Sequence, residues 1–499
     1  MILNLIHFEA VFPILALFVN AMIGKKRSHL AARLASYFMG SGFVAGLILL
    51  TGVHFSRTAV NFAENLNTVP LLLCTLIFFI SFIVHRYSVH YMDGDRFYRR
   101  YFFNLSAITL STTWMVLTDN LFIFAFLWTL SNFLLVVLMI HKKEWAPAKS
   151  AGVLALKTLV PGSVILLSAI NFITQVTHLT SINSLLNLSH QLSPQIHLFF
   201  STLLVISAVM QSALWPFHRW LISSLNSPTP VSALMHAGLI SGGGILIIRF
   251  APLFDEKILT CLFLLGALSA LLGTFWKLIQ HDIKRMLACS TLAQMGFMMM
   301  QCGLGLYASA IAHLCWHGLF KAYLFLNAGS AIHQKSLKET TGTPLKSFLT
   351  ALIGGFIAMA LFAITINKPI FFLAPTTFLL MFAFIAGAQF SLTLLNSNPT
   401  FKRITMTYVL SSIAGVFYGL SIFLIESLVP QLVISSISKL TLIHLIPMVV
   451  FFTLWIVTNL GVFVRIKRTQ FWSRFYVAMM NASQPHPKTV TTLRNLYYY

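Results

Sequence analysis

The sequence predicts an all-α polytopic membrane protein with about fifteen transmembrane helices. Of its 499 residues, 58% are hydrophobic and only 9% are charged, whereas about a quarter of the residues in a soluble domain are charged. The apolar residues are gathered into fifteen stretches, and a membrane-spanning helix needs about 20 such residues. Lys and Arg are concentrated in alternate connections between these stretches, as expected for a chain that crosses a bilayer repeatedly.

The predicted spans follow one another without a domain linker. They form one antiporter-like transmembrane domain, residues 1–464, and a basic cytoplasmic tail follows at 465–499. The fifteen spans are 2–24, 34–53, 68–84, 102–117, 121–140, 151–173, 196–214, 230–248, 258–276, 286–303, 307–332, 348–366, 369–392, 404–425 and 440–464.

The distribution of basic residues predicts how the chain is oriented. Of the 33 Lys and Arg residues, 26 lie in connections after odd-numbered spans, five lie in the other connections, and Lys157 and Lys321 lie within spans. Positive loops stay in the cytoplasm, so the N-terminus is predicted outside and the C-terminus inside. The net charge of +22 is scattered between apolar stretches. This scatter argues against a nucleic-acid partner, which would need a basic face on a soluble domain.

A helix break is predicted at Ser227, Pro228, Thr229 and Pro230, within the stretch from Trp215 to Phe250. Each proline removes a backbone donor and pushes the residue before it out of helical geometry. At bilayer depth, irregular backbone is tolerated only inside protein or beside water, so the break is a candidate ion site. A simple proline kink between two ordinary spans fits this stretch equally well.

Three ionisable residues of the eleventh span, His313, His317 and Lys321, recur at four-residue intervals. This spacing places them along one face of a helix. A lysine at the bilayer centre costs about 3 kcal/mol on insertion scales, so it should face protein or water, and histidine exchanges protons near neutral pH. The row predicts an ion path, which His236 of the eighth span is expected to join. The alternative is a snorkelling lysine beside packing histidines.

The other reactive side chains are sparse. Among eleven carboxylates, Glu9 and Glu426 are the two nearest to apolar surroundings. A carboxylate relay inside the membrane is therefore predicted to be absent or supplied by another subunit. The five cysteines show neither a CxxC motif nor Cys–His ligand spacing. No disulfide framework, metal site or other cofactor is predicted in this chain.

Five motifs between residues 90 and 333 resemble the antiporter-like membrane subunits of respiratory complex I and their relatives. They are HYMDGDRFYRRYFFNL (90–105), LTDNLFIFAFLW (117–128), LWPFHRWLISSLNSPTPVSALMHAG (214–238), HDIKRMLACSTLAQMGFM (281–298) and AHLCWHGLFKAYLFLNAGSAI (312–332). The resemblance implies two inverted five-helix units, each with a discontinuous helix, and movement of H⁺ or Na⁺ through the membrane.

The family's ion-path residues carry over only in part. Four positions match: His236, His313, His317 and Lys321. The family's glutamate of the fifth helix falls on Thr129, and its lysine before the break of the seventh helix falls on Gln211. A lysine of the second discontinuous helix is matched to Lys368. The resemblance therefore implies an ion path that lacks the usual charged pair in its first half.

Within that family, the missing pair and the short chain resemble the membrane subunits of DAB complexes, which accumulate inorganic carbon. The ending FYVAMMNASQPHPKTVTTLRNLYYY is similar to the tail of those subunits. The resemblance implies a partner, DabA, a large cytoplasmic protein whose zinc site hydrates CO₂, and a location in the inner membrane of a bacterium. In that scheme this chain is a transporter subunit and not an enzyme, and it couples a cation gradient to hydration.

Two alternatives remain open. The first is a proton-pumping membrane subunit of complex I, or of a related hydrogenase or cation antiporter assembly. The second is a membrane anchor that conducts no ion and only holds a partner.

Overall fold

The computed structural model describes residues 8–59, 68–329, 343–370, 373–395, 400–429, 440–462 and 469–490. Within these ranges each of the fifteen predicted spans corresponds to a helix. We number them α1 Val11–Met22, α2 Ser28–Ala59, α3 Thr68–Tyr91, α4 Tyr98–Leu117, α5 Leu121–Met139, α6 Ala146–Thr177, α7 Pro194–Gln211, α8 Thr229–Arg249, α9 Glu256–Ile279, α10 Ile283–Gly303, α11 Tyr307–Leu326, α12 Leu345–Thr365, α13 Pro375–Leu395, α14 Phe401–Leu428 and α15 Leu442–Asn459.

Eleven of the described helices are long and apolar enough to cross a membrane. The other four, α1, α4, α10 and α11, fall short in length or in apolar content. All four bury at least one polar side chain, among them Asn20 of α1, Thr109 of α4, Thr291 of α10 and Lys321 of α11. Such residues lower the apolar content of α4, α10 and α11, and the predicted all-α polytopic fold is confirmed.

Helix α8 lies at the centre of the molecule. In its most apolar window 94% of the residues are buried, against 11% in α15. It packs against α3, α5, α7, α10 and α11.

Small residues let neighbouring helices approach closely. A Cβ on Gly266 of α9 would lie 2.6 Å from the carbonyl oxygen of Gly296 in α10.

The predicted proline break is present, but its predicted depth was wrong. Ser227 and Pro228 are non-helical, while Thr229 and Pro230 form the first turn of α8. The Tyr91 hydroxyl lies 3.3 Å from Thr229 Oγ1, so Thr229 is level with the end of α3. The break therefore precedes the span. Proline is well suited to the first turn of a helix, where its missing N–H has no partner to lose.

Irregular backbone inside the helix bundle occurs at two other places. Helix α7 ends at Gln211, and residues 212–218 are non-helical before a short helix at Arg219–Ile222. Helix α8 is interrupted at Gly238, after which Leu239–Ser241 form a single 3₁₀ turn. The carbonyl oxygens of Leu239 and Ile240 accept hydrogen bonds from Gln211 and Ser212 at 3.2 and 2.9 Å. These two interruptions face each other.

The second interruption implied by the resemblance is not seen in α12, which is continuous from Leu345 to Thr365. Gly355 in its middle packs closely, since a Cβ there would lie 2.7 Å from the carbonyl oxygen of Phe384 in α13. Close packing of this kind favours an unbroken helix.

The described part of the tail lies against the body of the protein. Its helix α16, Gln470–Ala482, packs Trp472 and Phe475 edge-to-face against Phe275 of α9. Residues 483–490, which we call the C-terminal strap, cover the connection before α8. Four hydrogen bonds hold it: Gln280 Nε2 to Ser483 Oγ at 2.7 Å, Arg285 to Gln484 Oε1 at 3.1 Å, His486 N to Ser223 Oγ at 3.0 Å and Asn226 Nδ2 to the Thr489 carbonyl at 2.7 Å.

Candidate functional site

The predicted row lies on the buried face of α11. His313, His317 and Lys321 are 9%, 5% and 1% exposed. The two imidazole rings stack, with their centroids 5.7 Å apart. Lys321 does not extend to the membrane boundary, because its Nζ donates a hydrogen bond of 3.0 Å to the carbonyl oxygen of Leu287 in α10. The lysine is therefore held inside the protein.

His236 is joined to Lys321 through α10. Its Nδ1 lies 3.0 Å from Thr291 Oγ1, and the Thr291 hydroxyl donates to the Leu287 carbonyl, also at 3.0 Å. Lys321 donates to that same carbonyl. The hydroxyl has one hydrogen and uses it on Leu287, so His236 Nδ1 carries a proton and donates it. One backbone oxygen thus links the two side chains.

Close contact between α8 and α11 completes the cluster. The His236 ring stacks on Phe325, with centroids 4.2 Å apart, and the His317 side chain reaches the backbone of His236. A Cβ on Gly318 would lie 2.8 Å from the carbonyl oxygen of Ala237. The two helices can approach this closely because residue 318 has no side chain.

The outer part of the row carries free hydrogen-bonding capacity. Among the described residues, Nε2 of His313 and Nε2 of His317 have no hydrogen-bond partner, and neither does the Tyr307 hydroxyl. A buried polar atom without a partner costs about 1–3 kcal/mol. The two imidazole nitrogens are therefore available to a proton or to water.

Gln211 occupies the position where the resemblance led us to expect a lysine. Its Nε2 donates to Asn132 Oδ1 at 2.9 Å and to the Leu239 carbonyl at 3.2 Å, inside the interruption of α8. Beside it lies a cavity of about 60 Å³, which is room for a few water molecules. Most of its lining is apolar. The polar groups in its wall are Ser81, Thr109, Thr112, Ser131 and Gln211.

Thr129 and Lys368 are not brought into the cluster. Thr129 is half-buried, and its hydroxyl donates to the Ala125 carbonyl of its own helix at 2.8 Å. Lys368 lies three residues beyond the end of α12, half-buried, and interacts electrostatically with Glu426 of α14. Within the described ranges, no group of three or more His, Cys, Asp or Glu side chains could hold a metal ion.

The neutral members of the site were not predicted from the sequence. Thr291 accepts a hydrogen bond from His236, Asn132 accepts one from Gln211, and the Leu287 carbonyl accepts one from Lys321. Uncharged residues are common in apolar helices, so composition does not single them out. The low apolar content of the span that carries Thr291 was the one available signal.

Two family models match the chain. Residues 118–351 match the family described as NADH:quinone oxidoreductase/Mrp antiporter, TM. Residues 53–102 match the N-terminus of chain 5 of NADH-ubiquinone oxidoreductase, complex I. The matched ranges contain α3 and α5 to α11 in full and parts of α2, α4 and α12, and hence every member of the row.

Individual relatives are more specific. The chain is 38% identical over 310 residues to the probable inorganic carbon transporter subunit DabB of Bacillus anthracis, with 60% of each chain covered. It is 34% identical over 372 residues to subunit DabB1 of Halothiobacillus neapolitanus, with 68% of this chain and 66% of the relative covered. The matches thus span between three fifths and two thirds of these relatives' length.

A solved structure shares the fold. The Mrp complex from Dietzia sp. DQ12-45-1b superposes with a TM-score of 0.58 at 20% identity, covering 96% of this chain and 52% of that chain. At this identity the likeness concerns the fold alone.

Proposed function

Because the chain belongs to the family of antiporter-like membrane subunits of NADH:quinone oxidoreductase and Mrp antiporters, we propose that it conducts H⁺ or Na⁺ as the membrane subunit of an inorganic carbon uptake complex. The similarity to two DabB subunits supports the carbon assignment. The chain would lie in the inner membrane of a bacterium, with its N-terminus outside and its C-terminus in the cytoplasm.

The observation that carries the proposal is the shared carbonyl of Leu287. Lys321 and, through Thr291, His236 both converge on it, without a carboxylate among their hydrogen-bond partners. A lysine that is neutralised by no carboxylate can give up its proton at modest cost. Two stacked histidines extend the row from Lys321 by eight residues, about 12 Å along a helix. This arrangement suits stepwise proton transfer through imidazole rings.

We propose further that catalysis belongs to a partner. In this scheme a DabA-like cytoplasmic protein holds zinc and hydrates CO₂ to bicarbonate. The present chain lets the cation run down its gradient, so that hydration proceeds in one direction. The chain itself would contribute no metal ligand and no catalytic residue to that reaction.

Replacement of Lys321 tests the proposal. Lys321→Met keeps the length of the side chain and removes its charge, whereas Lys157→Met alters an exposed lysine of α6 and serves as the matched control. Both would be produced with the co-purifying partner in cells that lack other inorganic carbon uptake. We expect uptake to fall at least tenfold in Lys321→Met and to stay unchanged in Lys157→Met, with equal amounts of assembled complex. Normal uptake in Lys321→Met would contradict the proposal.

The second candidate function is a membrane subunit of complex I or of a related hydrogenase or antiporter assembly. The match of residues 53–102 to the chain 5 N-terminus favours it. The identity of the co-purifying proteins separates the two, because the first function requires a zinc protein and the second requires flavin or iron–sulfur subunits.

The third candidate is an anchor that conducts no ion. The neutral side chains of Thr129 and Gln211 favour it, since the family's charged pair is replaced at both positions. A cation flux assay on the reconstituted complex decides this point, because an anchor shows no flux at any driving force.

A further inference from the structure

A second buried polar chain runs through α1, α3 and α4, away from the row on α11. Asn20 Nδ2 donates to Ser106 Oγ at 3.0 Å, and Ser106 Oγ lies 3.2 Å from His85 Nε2. His85 Nδ1 lies 3.1 Å from Ser81 Oγ, and Ser81 Oγ lies 2.7 Å from Thr109 Oγ1. All five side chains are at most 2% exposed. We call this set the His85 chain.

The hydrogen bonds of the His85 chain all point in one direction. Asn20 can only donate through its amide nitrogen, so the Ser106 hydrogen is free to point at His85 Nε2. His85 Nδ1 then carries the ring proton, which it shares between Ser81 Oγ and the Ser81 carbonyl at 2.8 Å. Ser81 donates to Thr109, whose hydroxyl donates to the Leu105 carbonyl at 3.0 Å.

One end of the His85 chain opens into the cavity. Ser81 and Thr109 line it, and Gln211, Ser131 and Gly238 lie in its other walls. The cavity therefore joins the His85 chain to the interruption of α8, two residues from His236. Its volume of about 60 Å³ holds a few waters, for which these hydroxyl and amide groups are the polar partners.

The other end approaches the cytoplasmic boundary. His85 lies six residues before the end of α3 at Tyr91, about 9 Å along the helix axis. Above it, the exposed Arg99 donates to the carbonyl oxygens of Asn20 and Ala21 at 3.5 and 3.1 Å.

The titratable groups around His85 are few. Tyr101 lies one turn further toward the cytoplasm and bonds Ser88 at 3.0 Å. Its ring meets that of His141, which pairs with Asp95 at 3.0 Å. Among the described residues of α4, His85 contacts the hydroxyl of Ser106 and the ring of Phe102, and Asn20 of α1 is linked to it through Ser106. No carboxylate or lysine bonds to the His85 chain within the described residues.

We propose that the His85 chain is a proton path that leads from the cytoplasmic side to the cavity beside Gln211, in the half of the molecule that lacks the family's charged pair. This inference rests on the proposed cation conduction and specifies the proton as the ion there. A sodium ion needs several oxygen ligands around one point, whereas Ser106, His85, Ser81 and Thr109 form a single file of groups that each donate and accept.

Each transfer in this path is balanced. Ser106 Oγ gives its proton to His85 Nε2 and recovers one from a water molecule that enters from the cytoplasmic side beside Asn20, because the Asn20 amide donates a hydrogen bond to Ser106 but passes on no proton. The doubly protonated ring gives the Nδ1 proton to Ser81 Oγ, Ser81 passes its own proton to Thr109, and Thr109 passes its own to water in the cavity. A rotation of the imidazole ring that brings the protonated Nε2 towards Ser81 and the bare Nδ1 towards Ser106 then restores the starting arrangement.

The experiment compares two histidines of α3 in the assembled complex. His85→Gln keeps hydrogen-bonding groups but cannot carry a proton, whereas His90→Gln changes an exposed histidine of the same helix. Thr109→Val is the second variant, because it removes only a hydroxyl at constant volume and retains packing. Proton flux is measured in membrane vesicles with an internal pH dye, alongside the amount of assembled complex.

We expect proton flux to fall at least tenfold in His85→Gln and at least threefold in Thr109→Val, with His90→Gln equal to the parent chain. If Lys321→Met stops the flux while His85→Gln and Thr109→Val leave it intact, the His85 chain conducts nothing and the proposed function stands. If Lys321→Met also leaves the flux intact, the proposed function fails, and the inference fails with it. If His85→Gln does not assemble, the flux of Thr109→Val alone decides.

Discussion

Lys321 is held by the backbone carbonyl of Leu287, and it forms no ion pair with a described residue. A backbone oxygen does not titrate, so only the protonation of the lysine itself changes this hydrogen bond with pH. The protonation of His313, His317 and Lys321 is then controlled by hydration and by the repulsion between their positive charges. This differs from a Glu–Lys switch, in which a carboxylate would trap the cation.

Thr291 provides the first test at the scale of a residue. Thr291→Val keeps the shape of the side chain but leaves His236 Nδ1 without its acceptor. An unpartnered buried donor costs about 1–3 kcal/mol, and we expect cation flux to fall about tenfold. Thr350→Val is the control, since the half-buried Thr350 donates the same type of bond, to the Lys346 carbonyl at 2.8 Å. Equal flux in both variants would show that His236 acts without Thr291.

Gln211 provides a second test at this scale. Gln211→Leu removes the amide that donates hydrogen bonds to Asn132 Oδ1 and to the Leu239 carbonyl. We expect the complex to lose about 1–3 kcal/mol of stability, measured as a lower midpoint of thermal unfolding in detergent. An unchanged midpoint would mean that the interruption of α8 does not depend on this amide.

At the scale of the element, the functional interruption of α8 is made by glycine. Proline marks the start of the helix at Thr229 and Pro230, whereas the deep interruption falls at Gly238, with φ −127° and ψ −68°. Its carbonyls are satisfied from α7, so the two irregular segments stabilise each other.

The difference between the predicted break at Pro230 and the deep interruption at Gly238 shows which features of the fold can be predicted from sequence. The apolar stretches predicted the fifteen helices because burial in lipid requires long apolar runs. The four-residue spacing predicted the shared face of His313, His317 and Lys321. The depth of the break could not be predicted, because a missing N–H shows that a helix stops and not where the bilayer lies. Thr291 and Asn132 were missed because their role depends on partners from other helices.

The contact between α8 and α11 can be tested with a pair of glycines. In Gly318→Ala the new Cβ would lie 2.8 Å from the Ala237 carbonyl, whereas a Cβ on Gly52 meets nothing within 4 Å. Alanine favours a helix over glycine by about 1 kcal/mol. We therefore expect Gly52→Ala to raise the unfolding temperature or leave it unchanged, and Gly318→Ala to lower it and to reduce cation flux. A harmless Gly318→Ala would show that α8 and α11 tolerate separation.

At the scale of the whole molecule, the C-terminal strap connects three distant parts of the chain. It bonds Ser223 and Asn226 before α8, Gln280 after α9 and Arg285 in α10. These groups surround the N-terminal end of the helix that carries His236. The tail, which the sequence predicted as a basic segment after the last span, is thus partly structural in the residues described.

Two truncations separate the strap from the residues after it. A chain ending at Val490 keeps all four bonds, whereas a chain ending at Ala482 loses them. At about 0.5–1.5 kcal/mol for each bond, we expect the shorter chain to unfold at a lower temperature and the longer one to match the full chain. If the two truncated chains are equally stable, the strap contributes nothing to the fold.

The strap also determines when the molecule is completed during synthesis. Asn226 and its partner Thr489 are 263 residues apart in sequence, as are Ser223 and His486. The strap leaves the ribosome after α1 to α15 have been made. The N-terminal end of α8 is therefore closed after these helices have formed, and a chain that stalls or is cut before residue 483 keeps the donors and acceptors around that end exposed, where proteases and chaperones that survey new membrane proteins can reach them.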